Sequence, residues 1–124
     1  MAKFKLWGPS IIWAVLIFTL SSIPTLPKVE IIWWDYVLKK SAHMFEYAVL
    51  FFLLVRALTK TRLKKASPKI FLLAGLITIL YAISDEWHQT FVPGRGGRLT
   101  DVGYDTMGMV LSFLYIKSKV SKTH

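Results

Sequence analysis

The chain contains no cysteine. Disulfides, zinc–thiolate centres, iron–sulfur clusters and thiol nucleophiles are therefore excluded, and cysteine usage gives no information on the redox compartment. Acidic residues are scarce, 7 against 16 lysines and arginines, and charged residues make up only 19% of 124 positions, below the quarter usual in soluble domains. No charge interrupts the sequence from Leu6 to Pro27. Internal repeats and low-complexity segments are also missing. What is present is apolar: 54% hydrophobic residues, 15% aromatic, and a mean hydropathy of +0.47. This length fits one domain, with a bilayer as its expected solvent. The net charge of +9 does not point to nucleic acid, because the basic residues fall in short patches between apolar runs instead of covering one solvated face.

Four helices are expected, at about 7–26, 40–58, 69–90 and 100–116. The first follows Lys3 and Lys5, and its long apolar run with the poor cleavage site Ser21-Ser22-Ile23-Pro24 favours a retained helix over a signal peptide. Pro24, Pro27 and the Trp33-Trp34 pair are assigned to the connection that follows, the tryptophans as an interfacial belt. Ser67-Pro68 marks a helix start, and Pro93-Gly94-Arg95-Gly96-Gly97-Arg98 a breaker loop. The fold class expected is an all-α integral membrane four-helix bundle.

Orientation follows from the charges. With the N-terminus inside, eleven basic residues (Lys3, Lys5, Arg56, Lys60, Arg62, Lys64, Lys65, Lys69, Lys117, Lys119 and Lys122) and no acidic residue fall on the cytoplasmic side. The positive-inside rule then puts both termini in the cytoplasm of a multi-pass cell-membrane protein.

The uncharged cores of the last three helices, Tyr47 to Val55, Ile70 to Ser84 and Thr106 to Ile116, are only 9, 15 and 11 residues long. At about 1.5 Å per residue none spans a hydrocarbon layer of roughly 30 Å. Polar positions must extend each helix, and carboxylates such as Glu46, Asp85 and Asp105 are expected to face the bundle instead of lipid. This topology collects the chemistry at the outer face. Lys40, His43, Glu46 and Tyr47 come from the second helix, Asp85, Glu86, His88 and Gln89 from the third, Asp101 and Asp105 from the fourth, and Arg95 and Arg98 from the loop between. Helical spacing groups Lys40, His43 and Tyr47; Asp85, His88 and Gln89; and Asp101, Asp105, Gly108 and Ser112.

An imidazole oriented by carboxylates serves as base or nucleophile, while two guanidiniums in a glycine-rich loop clamp phosphate. The catalytic candidates are His43, Asp85, Glu86, Asp101 and Asp105; the substrate-binding candidates are Lys40, Glu46, Tyr47, Gln89, Arg95 and Arg98. In this scheme Asp101 and Asp105 position the arginines, and Asp85 and Glu86 orient the imidazole or protonate the leaving group. No metal is assigned, since no H-E-x-x-H or comparable signature occurs, although the donors suit a divalent cation. Proton-coupled transport lacks a pathway because the ionisable groups gather at one end. Charge pairing that merely fixes the bundle is the alternative use of the same residues.

The blocks Lys40-x-x-His43-x-x-Glu46-Tyr47-x-x-Leu50 and Ser84-Asp85-Glu86-Trp87-His88-Gln89-Thr90-Phe91-Val92-Pro93-Gly94-Arg95, followed by Asp101, position 105 and Gly108, resemble the VanZ-like family of small bacterial membrane proteins. The resemblance covers the chain from Lys40 to about Ser112. Lys39 and Asp105 depart from it, standing where the family often has Asp and Asn. It implies a bacterial membrane protein with a link to glycopeptide (teicoplanin) resistance, grouped by distant similarity with membrane enzymes that act on lipid head groups. The expected partners are membrane lipids or a lipid-linked cell-wall precursor. Two functions stay open: a head-group phosphoesterase or transferase, and a non-catalytic protein that masks a precursor or scaffolds a partner. The oligomeric state is not readable.

Overall fold

The computed structural model describes residues 2–22, 33–60, 65–91 and 99–122. These form four helices and, among the described residues, no strand: α1 (Ala2–Ser21), α2 (Trp33–Leu58), α3 (Pro68–Gln89) and α4 (Leu99–Lys122). Two of them, over Lys40–Leu58 and Pro68–Gln89, are long and apolar enough to cross a membrane.

Local chemistry sets the helix ends. Ser67 caps α3, its hydroxyl accepting from the Ile70 amide, and Pro68 follows at the first turn, where a missing N–H costs nothing. Beyond α2, Lys60 takes a left-handed backbone (φ 55°), the conformation that commonly ends a helix and that glycine adopts most readily. The observed helices differ from expectation mainly at their polar ends. α2 starts seven residues earlier and takes in Trp33 and Trp34, which the sequence reading had put in the connection; α1 starts at Ala2, and α4 runs on through Lys117 and Lys119 to Lys122. Charge dilutes the apolar signal there without ending the helix, because none of these three segments holds Pro or Gly to break it. Pro24 and Pro27 lie outside the described residues.

α2 packs against each of the other three helices, most extensively α4. The core is accordingly built around it: Tyr47, Leu50, Phe51, Leu54 and Val55 meet Ile17 of α1, Ala74 and Ala82 of α3, and Ile116 of α4. Tyr47 faces Tyr81, Phe51 faces Phe71, and Phe71 meets Phe113 edge-on. These pairings make α3 antiparallel to α2 and to α4, so that α2 and α4 run parallel. α1 runs with α3, since Ala14 accepts a hydrogen bond from the Tyr81 hydroxyl and Phe18 stacks on His88.

The closest approach is between α2 and α4. A Cβ at Gly108 would stand 2.1 Å from the Met44 carbonyl oxygen and 2.9 Å from its Cα. The two backbones meet only because this position has no side chain. Burial follows polarity in an unusual way. Ser10, Thr78, Asp85, Glu86, Gln89, Asp105 and Ser112 are buried, whereas Leu72, Leu76, Leu80, Ile12, Val110 and Leu114 are exposed.

Candidate functional site

The starts of α2 and α4 and the ends of α1 and α3 meet at one end of the bundle. Of the four acidic side chains that the structure describes, Asp85, Glu86 and Asp105 are in the halves of the helices toward that end, and Glu46 is at the middle of α2. Lys5, Arg56, Lys60, Lys65, Lys69, Lys117 and Lys119 are toward the opposite end. Apart from Lys40, which lies at the acidic end, the helical alternation separates the described charges into two groups.

At the acidic end, His43 and Asp105 are paired. The imidazole Nδ1 is 3.4 Å from Asp105 Oδ1, with the Asp105 side chain 1% exposed and that of His43 20% exposed. Glu86 completes a triangle: one ligand atom from each of His43, Glu86 and Asp105 lies within 4.8 Å of the other two. Three helices supply one residue each. Gly108, one turn beyond Asp105, brings α4 close enough to α2 for the pair to form. Asp105 was expected to position the arginines; its described neighbour is the imidazole. Lys40, one turn before His43, lies over the Tyr104 ring at 5.1 Å, held by the attraction of a cation to a π face.

Asp85 belongs to a second, adjoining group. Tyr47 donates its hydroxyl hydrogen to Asp85 Oδ2 at 3.0 Å, and Gln89 Nε2 donates to the same oxygen at 3.4 Å, all three residues being buried. Asp85 is thus fixed from α2 and from its own helix. Tyr47→Phe removes a hydrogen bond to a buried acid, so a loss of about 2 kcal/mol is expected in detergent unfolding. An unchanged midpoint would show that Asp85 does not depend on that hydroxyl.

The expected α3 stripe of Asp85, His88 and Gln89 is divided. Asp85 and Gln89 face inward together, Glu86 joins the His43 side, and His88 turns to α1. There its ring stacks on Phe18 at 4.5 Å, and its Nε2 lies 3.0 Å from Ser22 Oγ. The spacing of Ser22 and His88 is that of a nucleophile and its base, yet the serine hydroxyl already donates to the Phe18 carbonyl at 2.8 Å. His88 must then donate to Ser22, leaving the serine unactivated. This contact and the Trp13 indole, which donates to the Glu46 carbonyl at 2.8 Å, fasten α1 to the site. Neither had a signal in the sequence beyond the presence of polar atoms on an apolar helix.

Glu46 is half-buried one turn below His43, its backbone taken by Trp13. Asp101 lies in the first turn of α4, its side chain outside the description. Arg95 and Arg98 fall in residues 92–98, which are not among those described.

The arrangement holds an imidazole against a buried carboxylate, with a second carboxyl within reach and the imidazole partly open. Such a group can accept or deliver a proton or furnish nitrogen and oxygen ligands. The chain has no match among curated proteins or among solved structures. One family model does match, and it spans nearly the whole chain. With residues 6–120 aligned to the VanZ/LLP1 model, the chain belongs to the VanZ/LLP1 family.

Proposed function

We propose that this protein is a membrane-embedded bundle whose acidic end lies at the outer leaflet and whose basic end is cytoplasmic. Support comes from the exposed apolar rows of α1, α3 and α4 around buried Asp, Glu, Gln and Thr, an arrangement suited to lipid and prone to aggregation in water. Segregation of the basic side chains gives the direction. The absence of native cysteine makes a direct test simple. Ser41→Cys in intact cells is expected to react with a membrane-impermeant maleimide, and Lys65→Cys only after permeabilisation. The reverse pattern would overturn the orientation.

The function we infer is phosphoester chemistry on a lipid head group or a lipid-linked cell-wall precursor in the outer leaflet. The His43–Asp105 pair with Glu86 beside it is the observation that carries this reading. In the proposed step His43 accepts the proton of a water or acceptor hydroxyl as that oxygen bonds to phosphorus. The bond from phosphorus to the head-group oxygen breaks, and this oxygen takes a proton from the Glu86 carboxyl. Asp105 keeps the imidazole oriented, while Asp85, held by Tyr47 and Gln89, supports the wall beside it. Lys40, Arg95, Arg98 and Asp101 are proposed at the mouth, where the cations meet phosphate oxygens. Water as acceptor gives a phosphoesterase, and a second alcohol gives a transferase. Purified protein incubated with head-group-labelled phospholipids and lipid-linked precursors is expected to release or transfer the label. No turnover with either class, or turnover that His43→Ala leaves intact, would refute the proposal.

A non-catalytic reading draws on the Tyr47–Asp85–Gln89 group, which resembles polar glue between helices. In that case the outer surface would mask a precursor or hold a partner. The teicoplanin link implied by family resemblance would then survive in a correctly inserted His43→Ala protein, whereas the catalytic reading requires its loss.

A further inference from the structure

Metal-binding motifs are recognised along a sequence when their ligands share one helix or loop. Here the three donors lie at positions 43, 86 and 105, on three helices, and no linear spacing reveals them. Packing brings them together. His43 Nδ1 and Asp105 Oδ1 are 3.4 Å apart, about the separation of two donors on a tetrahedral ion with bonds of about 2.1 Å. Glu86 offers its oxygen within a triangle whose longest side is at most 4.8 Å.

Resting on the site assigned above, we propose that His43, Glu86 and Asp105 bind one divalent cation of the manganese or zinc class; in the cation-bound site His43 and Glu86 are ligands, and activating the acceptor oxygen and the leaving group, assigned to them above, falls to the cation. The donor set favours this class over calcium or magnesium: both hard ions prefer all-oxygen shells, whereas an imidazole with two carboxylates suits first-row metals. Charge points the same way. Two carboxylates 3% and 1% exposed bring a formal charge of −2 to a place of low polarisability, and a dication balances it with the imidazole neutral. The His43 side chain is 20% exposed, so solvent or a phosphoryl oxygen reaches the edge of the donor set. The competing state is an imidazolium–carboxylate pair with Lys40 supplying further positive charge from one turn away; it needs no metal, and the two states differ in what they bind.

The test uses full-length protein in detergent, stripped with chelator and titrated with Mn2+ under electron paramagnetic resonance. One bound Mn2+ per chain, displaced by Zn2+, is expected. Glu86→Gln and Asp105→Asn preserve side-chain shape while removing a charged ligand, and each is expected to weaken binding by at least about tenfold. The absorption bands of Co2+ bound to the unaltered protein give a second readout that does not depend on variants folding. A lack of saturable Mn2+ and Co2+ binding, or affinity unchanged in both variants, overturns the proposal. Head-group turnover that needs His43 but persists in chelator-stripped protein overturns the cation and leaves the phosphoester reading intact. Stoichiometric binding through these residues without turnover of any lipid does the opposite.

Discussion

Gly108→Ala is expected to destabilise the bundle by about 3 kcal/mol or more, although it adds a single methyl group. That methyl would sit 2.1 Å from the Met44 carbonyl oxygen, 2.8 Å from its carbon and 2.9 Å from its Cα. All three are backbone atoms inside a helix, so no rotamer can move them aside. α4 must shift away from α2, at the upper end of the usual overpacking cost. Two other glycines serve as controls. At Gly75 a Cβ would meet the Met109 sulfur at 3.6 Å, an ordinary contact with a flexible side chain, and at Gly103 it would meet nothing within 4 Å. Alanine at either site is expected to be neutral or slightly stabilising, since it favours helix over the unfolded chain. Unfolding of the three variants in one detergent checks the ordering; a Gly108 variant as stable as the other two would mean the helices do not approach so closely. The same shift reaches the chemistry. Asp105 is one turn from Gly108 and His43 is next to Met44, so a displacement of about 1 Å would be enough to lose much of the activity.

His43→Ala is expected to reduce head-group turnover by a factor of about 100 to 10,000, the usual range for loss of a positioned general base. The reduction is expected in kcat, with KM little changed, because the imidazole acts on a proton in transit and not on the resting head group. Asp105→Asn retains the volume and one acceptor, but replaces a charge that favours imidazolium in the transition state with a neutral amide. Its expected loss is smaller than that of His43→Ala. Combining the two should cost little more than His43→Ala alone, because an orienting residue has nothing left to orient. Additive losses would separate the two residues and remove Asp105 from its assigned role.

Much of the fold was legible from composition. Uncharged runs marked the helices, and the stripe Asp105, Gly108, Ser112 faces inward as helical spacing required. The cap and breaker residues placed the start of α3 to within one position. What could not be read was the choice among neighbours on a single helix. Glu86 and His88, two residues apart, lie on opposite flanks of α3, and period put Asp85 with His88 and Gln89, on no evidence of which neighbour would cover the His88 flank. The arrival of α1 beside that flank decided it: Phe18 and Ser22 take His88, and Glu86 is left to His43 and Asp105. The pairing of His43 with Asp105 was equally hidden, since a glycine contact between two parallel helices sets it and no local pattern encodes the partner. Tyr47, expected at the substrate, is 0% exposed and donates to Asp85 in the core.

The order in which the helices are made matters because α2 is their common neighbour. In the membrane reading, α2 is made before α3 and α4 with Lys40, His43 and Glu46 already in place, while the carboxylate that meets His43 is carried by α4. Until α4 is released, the imidazole has no such companion, and the half-built hairpins must keep polar atoms away from acyl chains by tilting or by borrowing help from the insertion machinery. The His43–Asp105 pair therefore forms only once α4 has been made, and in the catalytic reading a nascent chain arrested after α3 would lack it.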